Sequence, residues 1–308
     1  MPKISVVMIT YKQENLVKRA IDSLLEQKEY IYEICISDDC SPDNTWKVLQ
    51  DYDKQYPGLF KLHRNEHNLG IFQNVEESWK LPTGDIIYQL SGDDECGKGY
   101  FKHIVDFIRD KKIDYKNELF CIYGDFAVVS PDGKMTIKKN DFITKNDNSV
   151  KLKIRGLVTN RATCYSINVM RKFEKVSEGR SYHVELAQDA QLQIFTEKNY
   201  YMPYCGNIYY SQIGVSKKMS VKEACDIAFG RYDKFLKFAD RYNVKLFSCD
   251  RAYIEFSKLF AKYRSHKKTS IIFLLKLFYN YLKSIDLSLG IHEGCQLKLL
   301  KGLKKRFA

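Results

Sequence analysis

The sequence predicts an α/β fold, in which a mainly parallel sheet is flanked by helices and followed by a helical appendage. Two observations support this prediction: short apolar strands alternate with amphipathic helices over residues 1–95, and only helical patterns follow from about residue 220. We expect one α/β domain over residues 1–220, with halves at 1–95 and 96–220, and a basic helical region over 221–308.

The first half begins with a clear strand and a clear helix. Ile4–Ile9 is a run rich in β-branched residues, as expected of a strand buried on both faces. Glu14–Gln27 repeats apolar residues at helical spacing. The second helix is expected to be capped by Ser41 or Asp43. Further strands are predicted at Tyr32–Ser37, Phe60–His63 and Asp85–Leu90. Further helices are predicted at Pro42–Tyr52 and Asn74–Trp79.

The rest of the chain mixes strands and helices before it becomes helical. An Asp-Gly pair within Ser130–Gly133 is typical of a β-hairpin turn, and it follows a predicted strand at Phe120–Gly124. Apolar residues at three- and four-residue spacing predict the later helices. These helices are expected at 100–110, Ala187–Phe195, Ala224–Arg241 and Asp250–Tyr263.

The positive charge of the chain lies at its carboxyl end. The 308 residues include 50 Lys and Arg against 38 Asp and Glu, which gives a net charge of +12. Residues 258–308 hold twelve basic and two acidic residues, so +10 belongs to this segment and +2 to the preceding residues. Because the basic charge is confined to one segment, we expect no nucleic-acid partner.

The cysteines and the apolar runs indicate the compartment. Nine cysteines are scattered without a C-x-x-C pair, which excludes a zinc ribbon and favours reduced thiols. The amino-terminal apolar run is too short for a signal peptide, and the longest apolar stretch, Ile271–Tyr281, is shorter than the ~20 residues of a membrane-spanning helix. We therefore expect a cytoplasmic protein.

Acidic residues follow two of the predicted strands. Ser91–Glu95 (Ser-Gly-Asp-Asp-Glu) places three adjacent carboxylates where either a solvated turn or a divalent cation would tolerate them. The same segment is not a P-loop, because Gly99 stands where that motif needs Ser or Thr. Asp38 and Asp39 follow another strand, where they either cap a helix or bind a ligand. Parallel strands end at one edge of a sheet, so we expect both acidic groups at that edge.

Four motifs, each at or after the end of a strand, occur in one order along the chain. They are Thr10-Tyr11, Asp38–Thr45, Asn68–Asn74 and Ser91–Asp94. Together they resemble the signature of family 2 glycosyltransferases with the GT-A fold, and the similarity covers about residues 3–216. The resemblance implies a nucleotide-sugar-binding half at the amino end of the domain and an acceptor-binding half after it.

The resemblance also assigns a nucleotide site. Asp39 matches the carboxylate that accepts a hydrogen bond from the pyrimidine base of the donor. Tyr11 matches the aromatic residue that packs on that base, with Thr10 beside it. A UDP-sugar is the donor most typical of this pattern. The other nucleotide-binding residues implied by the motifs are Asn68, Gly70, Asn74, Gly92 and Asp93.

The Ser91-Gly92-Asp93 triplet occupies the place of the family's Asp-x-Asp motif. Ser91 replaces the first acid, so the resemblance makes Asp93 the metal ligand, with Asp94 as its neighbour or a second ligand. Mn²⁺ or Mg²⁺ suits such an all-oxygen site and would neutralise the leaving diphosphate.

A catalytic base is expected about 90 residues beyond the metal site in this family. Asp189 in Gln188–Leu192 resembles that position, and Glu185 and His183 are the nearby alternatives. A carboxylate can take the proton from the acceptor hydroxyl at neutral pH. Tyr209–Ser216 resembles the segment that closes over the bound donor, with Gln212 in place of the usual basic residue.

The carboxyl-terminal helices are amphipathic and basic. Residues 271–285 fit an anionic membrane surface, a helical cap on the catalytic domain or a homodimer contact equally well, whereas 297–307 favours the membrane.

The sequence therefore predicts an inverting, metal-dependent glycosyltransferase. It would transfer a sugar to a saccharide or lipid-linked saccharide, at the inner face of the cell membrane. The alternatives are a nucleotidyltransferase-like enzyme and an inactive basic module that binds membrane or nucleic acid.

Overall fold

We describe the protein from a computed structural model. The residues described are 1–144, 149–177, 182–211, 213, 220–265 and 270–285. They form two compact units. The first unit comprises the described residues within Met1–Lys145, Asn160–Ser181 and Phe195–Lys218, and the second those within Asn146–Thr159, Tyr182–Ile194 and Met219–Ala308.

The first unit is built around one mixed sheet, which in the described residues has the strand order β3-β2-β1-β4-β8-β6-β9-β5, with β7 paired to β6. The neighbours β1, β2, β3 and β4 run parallel, and so do β6 and β9. The strands are β1 Ile4–Thr10, β2 Ile31–Asp38, β3 Phe60–Arg64, β4 Ile86–Ser91, β5 Glu95–Cys96, β6 Phe120–Val129, β7 Met135–Lys138, β8 Thr163–Ser166 and β9 Lys198–Tyr210.

Helices flank this sheet, and others build the second unit. The helices are α1 Val17–Leu25, α2 Thr45–Gln55, α3 Ile71–Ser78, α4 Tyr100–Asp110, α5 Ser149–Ile154, α6 Ile167–Met170, α7 Glu185–Phe195, α8 Val221–Arg241, α9 Ser248–Ser265 and α10 Ile271–Lys283. The core of the first unit joins the apolar faces of α1 and α4 to the sheet. Ile21 of α1, Ile104 of α4 and Met8 of β1 are each fully buried in it. The predicted mainly parallel α/β architecture is confirmed.

The ends of three helices differ from the sequence prediction for local reasons. The helix α1 begins at Val17 rather than Glu14, because the chain before it turns through a left-handed Lys12 (φ 55°). Asp43 takes a capping role, since its Oδ1 accepts the Thr45 N–H at 3.1 Å, but α2 itself begins only at Thr45. The helix α3 begins at Ile71, earlier than predicted, directly after Gly70.

The second unit has its own helical core. Phe235 of α8 and Ile254 of α9 are buried against Ala190 of α7 and Ile154 of α5. The division between the units therefore does not fall at residue 220, because α5 and most of α7 pack with the carboxyl-terminal helices. The two units are defined by packing alone, so the expectation that the catalytic domain ends at residue 220 stays a prediction.

Two further findings concern the described ranges only. None of their helices is both long enough and apolar enough to cross a lipid bilayer. No disulfide joins their cysteines. The basic segment 297–307 lies outside the described residues.

Candidate active site

The carboxyl ends of the parallel strands bring the predicted motifs together. Thr10 of β1 is the register partner of Asp38 of β2, which in turn pairs with Arg64 of β3. Ser91 at the end of β4 pairs with Ile9. The loops after these strands therefore start at one level and share one edge of the sheet, as the sequence predicts.

Asp38 holds the first two loops together. Its carboxylate is fully buried, and Oδ1 accepts hydrogen bonds from Thr10 Oγ1 at 3.0 Å and Ser41 Oγ at 2.5 Å. Oδ2 accepts the Ser41 N–H at 2.9 Å and lies 3.6 Å from Arg64 Nε. Asp38 is therefore a structural residue, and the Asp-Asp pair in the sequence does not reveal which of its members has this role.

Asp39, the predicted base-binding residue, is buried and shapes the next loop. Its Oδ1 accepts the Leu69 N–H at 2.7 Å and Asn65 Nδ2 at 2.9 Å, and its Oδ2 accepts the Gly70 N–H at 2.8 Å. Gly70 adopts φ 90°, a conformation that L side chains rarely tolerate. A carboxylate offers about four acceptor sites, so Oδ2 retains capacity for a further donor.

Asn74 and Asn68 lie on the same loop and the helix that follows it. Asn74 is 1% exposed, its Oδ1 accepts from Ser37 Oγ at 2.7 Å and from Asn65 Nδ2 at 3.0 Å, and its Nδ2 donates to the Ser37 carbonyl. Asn68 is half-buried at the start of the turn to Gly70. The structure thus places Asn74 as a support of the loop, within the protein's own hydrogen-bond network.

Tyr11 is an exposed aromatic ring beside this network. Its side chain is 38% exposed, and Lys12 Nζ lies 5.3 Å from the ring centroid. The backbone N–H of Lys12 donates to Ser41 Oγ at 3.1 Å, and that of Gln13 donates to Thr45 Oγ1 at 2.8 Å. The loop after β1 is therefore fixed to the loop after β2, which leaves the ring as a stacking surface.

Gly92, at the end of β4, lies close to the side chains of Gln13 and Thr10. A Cβ atom there would lie 2.3 Å from Gln13 Oε1 and 3.0 Å from the Thr10 methyl group. Gln13 Oε1 is itself a buried oxygen without a hydrogen-bond donor among the described residues. This oxygen lies next to the acidic turn, which we define as Asp93-Asp94. A cation or a hydrogen-bond donor of a bound ligand would satisfy it.

The acidic turn itself contains two carboxylates in different settings. Asp94 is 2% exposed, its Oδ2 lies 3.0 Å from Arg161 Nη1, and its Oδ1 accepts the Tyr210 N–H at 3.4 Å. Burial raises the pKa of Asp94 to about 6, although Arg161 opposes the shift. Burial also raises the pKa of Asp93, whose carbonyl oxygen accepts a hydrogen bond from Arg19 Nη2 at 2.6 Å.

Sequence reasoning missed the arginines that flank this turn. The Arg19 guanidinium stacks 3.6 Å from the Tyr210 ring centroid and pairs with Glu95. Arg161 stacks 3.7 Å from the Tyr209 centroid. The signal available in the sequence is that Arg161 is the one basic residue of residues 159–163. Of the predicted closing segment, Tyr209–Ser211 lies in the described residues, and Gln212 and 214–216 lie outside them.

Asp189 lies in the second unit, on α7. Its Oδ2 accepts a hydrogen bond from Lys153 Nζ at 2.8 Å, and the side chain is 45% exposed. Glu185 lies one turn earlier, where burial and the Asp189 charge raise its pKa against the opposing Arg231. His183 packs its ring against Gly230 of α8, where any Cβ would come within 2.6 Å. Asp189 therefore stays the predicted base, with Glu185 and His183 as its alternatives.

Comparison with known proteins identifies the family of the chain. Residues 5–175 match the family model described as glycosyl transferase family 2. The chain is 27% identical to the dTDP-rhamnosyl transferase RfbG of Shigella flexneri over 62% of this chain and 50% of that protein. Half or less of the length of the curated relatives is matched.

Solved structures show the same fold at low sequence identity. The structure of S. aureus TarS 1–349 in complex with UDP-GlcNAc has a TM-score of 0.59 and 16% identity, and covers 91% of this chain and 79% of that chain. GalNAc-T7 with UDP, GalNAc and Mn²⁺ has a TM-score of 0.52 and 15% identity, with coverage of 91% and 57%. The fold is therefore GT-A, and the chain belongs to glycosyltransferase family 2.

Proposed function

We propose that this enzyme transfers a sugar from a pyrimidine nucleotide-diphosphate sugar, with UDP the leading candidate, to a saccharide hydroxyl. The observation that carries the proposal is the shared edge of the parallel strands. There the Asp39 carboxylate, held by the Leu69 and Gly70 N–H groups, and the Asp93 carboxylate follow strands that flank β1. A base-binding group and a diphosphate-binding group are both needed for such a donor.

The base specificity is proposed from the chemistry of Asp39. Uracil and thymine both present an N3–H donor, which the free acceptor site of Asp39 Oδ2 can take, while the Tyr11 ring stacks on the base. Guanine and adenine are larger and present different edges. The relatives support this class, since TarS was solved with UDP-GlcNAc and RfbG is named for dTDP-rhamnose.

A divalent cation is proposed at the turn that carries Asp93. In the described part of the chain no cluster of three or more His, Cys, Asp or Glu could hold a metal, so such an ion would take most ligands from substrate and water. Mg²⁺ and Mn²⁺ commonly bind in this way, through one or two carboxylates and substrate phosphates. Asp93 is the proposed ligand, because Arg161 already engages Asp94. When bound, the ion would stabilise the leaving diphosphate.

Asp189 is the proposed base. Its carboxylate would take the proton of the acceptor hydroxyl, whose oxygen then attacks the anomeric carbon opposite the diphosphate. Attack from that face inverts the configuration, so an α-linked donor gives a β-linked product. Lys153 Nζ, which donates to Asp189 Oδ2 at 2.8 Å, would hold the carboxylate in place.

The acceptor and the location complete the proposal. A saccharide of a cell-surface polysaccharide or glycolipid is the proposed acceptor, and the enzyme would work in the cytoplasm at the inner face of the membrane. The excess of basic residues after residue 257 supports this location, because the inner membrane surface is anionic.

A donor screen tests the proposal. Purified enzyme with Mn²⁺ is offered UDP-, dTDP- and GDP-sugars, and release of the nucleoside diphosphate is measured. We expect turnover of the pyrimidine donors and a loss of that preference in Asp39→Asn, with Glu33→Gln as the control of similar burial. Preferred turnover of GDP-sugars would contradict it, and so would release of pyrophosphate from a nucleoside triphosphate and a sugar 1-phosphate, the reaction of a nucleotidyltransferase. Failure to bind any donor would favour an inactive binding module.

A further inference from the structure

The helix α10 has two apolar faces, and only one of them is packed. Leu277 is 3% exposed and lies in a cluster with Phe256 and Leu259 of α9. On the other side six large apolar residues are at least 44% exposed. They are Ile272, Leu275, Phe278, Tyr279 and Leu282 of the helix and Ile285 just after it, and we call these six the apolar face of α10. A helix that served only as a cap would turn polar residues to solvent.

Two lysines border the apolar face of α10. At about 3.6 residues per turn, Lys276 and Lys283 lie together at one edge of this face. Both are exposed, Lys283 Nζ lies 4.8 Å from the Tyr279 ring centroid, and Lys276 Nζ lies 3.8 Å from Glu255 Oε1. An apolar stripe with basic residues at its margin is the pattern of helices that lie in a membrane interface.

A second copy of the chain fits this face poorly. A helix of 13 residues is about 20 Å long and about 10 Å wide, so one side offers roughly 200 Å². A stable protein interface buries about 800 Å² on each partner. A lipid surface needs no such minimum, because each inserted side chain contributes separately.

The chain's own last residues are also a poor match in charge. Residues 286–308 contain five basic and two acidic residues, so they carry +3. Packed on the apolar face of α10, they would place like charges near Lys276 and Lys283. An anionic surface attracts both groups of basic residues, and therefore it is the occupant that the charges favour.

We propose that the apolar face of α10 inserts into an anionic lipid surface, with Lys276 and Lys283 directed at the headgroup phosphates. The inference deepens the location given in the proposed function. It does not depend on the proposed chemistry, since lipid binding and sugar transfer are measured separately.

Cosedimentation of the full chain with vesicles tests the inference. The vesicles contain phosphatidylcholine alone or mixed with phosphatidylglycerol. The test variant is Leu275→Ser with Leu282→Ser, both at exposed positions, and the matched control is Met135→Ser with Ile137→Ser, which removes similarly exposed apolar side chains from β7. We expect tighter binding to the anionic vesicles, at least roughly tenfold weaker binding of the test variant, and no change in the control.

A spectroscopic variant locates the contact. Leu282→Trp should show a blue-shifted emission with anionic vesicles and an exposed-type emission without them. Absence of vesicle binding by the native chain, or equal binding by the test variant, would overturn the inference. So would a dimer in sedimentation velocity that the test variant abolishes, or an emission of the Leu282→Trp variant that is already blue-shifted without lipid. Sugar transfer to a soluble acceptor is expected to remain unchanged in the test variant.

Discussion

Carboxylates lie at both edges of the parallel strands, but Glu33 at one edge and the acidic turn Asp93-Asp94 at the other are stabilised differently. At the amino-terminal edge, Glu33 accepts hydrogen bonds from Ser5 Oγ at 2.6 Å and from the Thr83 N–H at 2.5 Å, and it pairs with Lys61 at 2.5 Å. Burial acts to raise the pKa of Glu33, but the hydrogen bonds from Lys61, Ser5 and Thr83 outweigh it and lower the pKa.

In the acidic turn at the carboxyl-terminal edge, burial outweighs the interactions that lower the pKa. Burial raises the pKa of both Asp93 and Asp94; Arg161 offsets the shift only in part at both residues, and Arg19 does so at Asp93. The protein's own groups thus stabilise the ionised form of Glu33. Ionisation of Asp93 and Asp94 costs free energy instead, and a bound cation would offset that cost. This difference separates a carboxylate that serves stability from one available for function.

Among the substitutions that test this contrast, we expect the largest effect on sugar transfer from substitution of Asp93. Asp93→Asn removes the proposed metal-binding charge, so transfer should fall by roughly 10³-fold or more while the fold persists. Product formation at saturating Mn²⁺ and donor measures the loss, and circular dichroism checks the fold. Transfer within a factor of about ten of the native rate would remove Asp93 from the mechanism.

The next effect concerns the proposed base. Asp189→Asn should lower transfer by about 10²-fold or more, because the acceptor hydroxyl keeps its proton, and UDP binding should stay native. Glu185→Gln, one turn away, is the matched control. If Glu185→Gln loses transfer and Asp189→Asn keeps it, the base is Glu185.

Asp94 should make stability depend on pH. Its pKa of about 6 lies above the ordinary value of 3.8, so the folded state binds more protons than the unfolded state between these values. The free energy of unfolding should therefore fall by roughly 2–3 kcal/mol as the pH rises through about 6, and Asp94→Asn should flatten this slope. Urea unfolding in metal-free buffer measures it; an identical slope in the variant would refute the assignment.

The smallest effect is expected at the other edge. Glu33→Gln should cost about 1–3 kcal/mol of stability at neutral pH, since it weakens hydrogen bonds made to a charged group, and should leave transfer unchanged. Because the folded pKa is lowered, the native advantage is present above the ordinary value of 4.5 and disappears as the pH falls below it. A large loss of transfer in this variant, with the fold intact, would erase the contrast between the edges.

The sequence predicts well where the strand-end motifs lie, because local patterns determine their positions. Strand periodicity places Thr10, Asp39 and Asp93 at strand ends, and parallel strands end at one edge. The hydrophobic periodicity of the sequence does not indicate which side chains pair when they lie far apart along the chain. The pairing of Arg161 with Asp94 joins residues 67 positions apart, and only the folded sheet brings them together.

The domain division is hard to predict for a similar reason. α5 and α7 are interleaved in sequence with strands of the first unit, yet their apolar residues pack with α8 and α9. Helical periodicity shows that Ala190 faces a core, but it does not tell which core. The roles of Asp38 and Asn74 as supports of the loops likewise follow from contacts, and motif spacing alone does not distinguish them from ligand-binding residues.

Calorimetric titration of UDP into the native enzyme and Asp93→Asn, each with and without Mn²⁺, tests the central claim most directly. The account predicts that Mn²⁺ tightens UDP binding by the native enzyme at least about tenfold and that Asp93→Asn abolishes this dependence. UDP binding that is equally tight with and without metal, or a metal dependence preserved in Asp93→Asn, would contradict it.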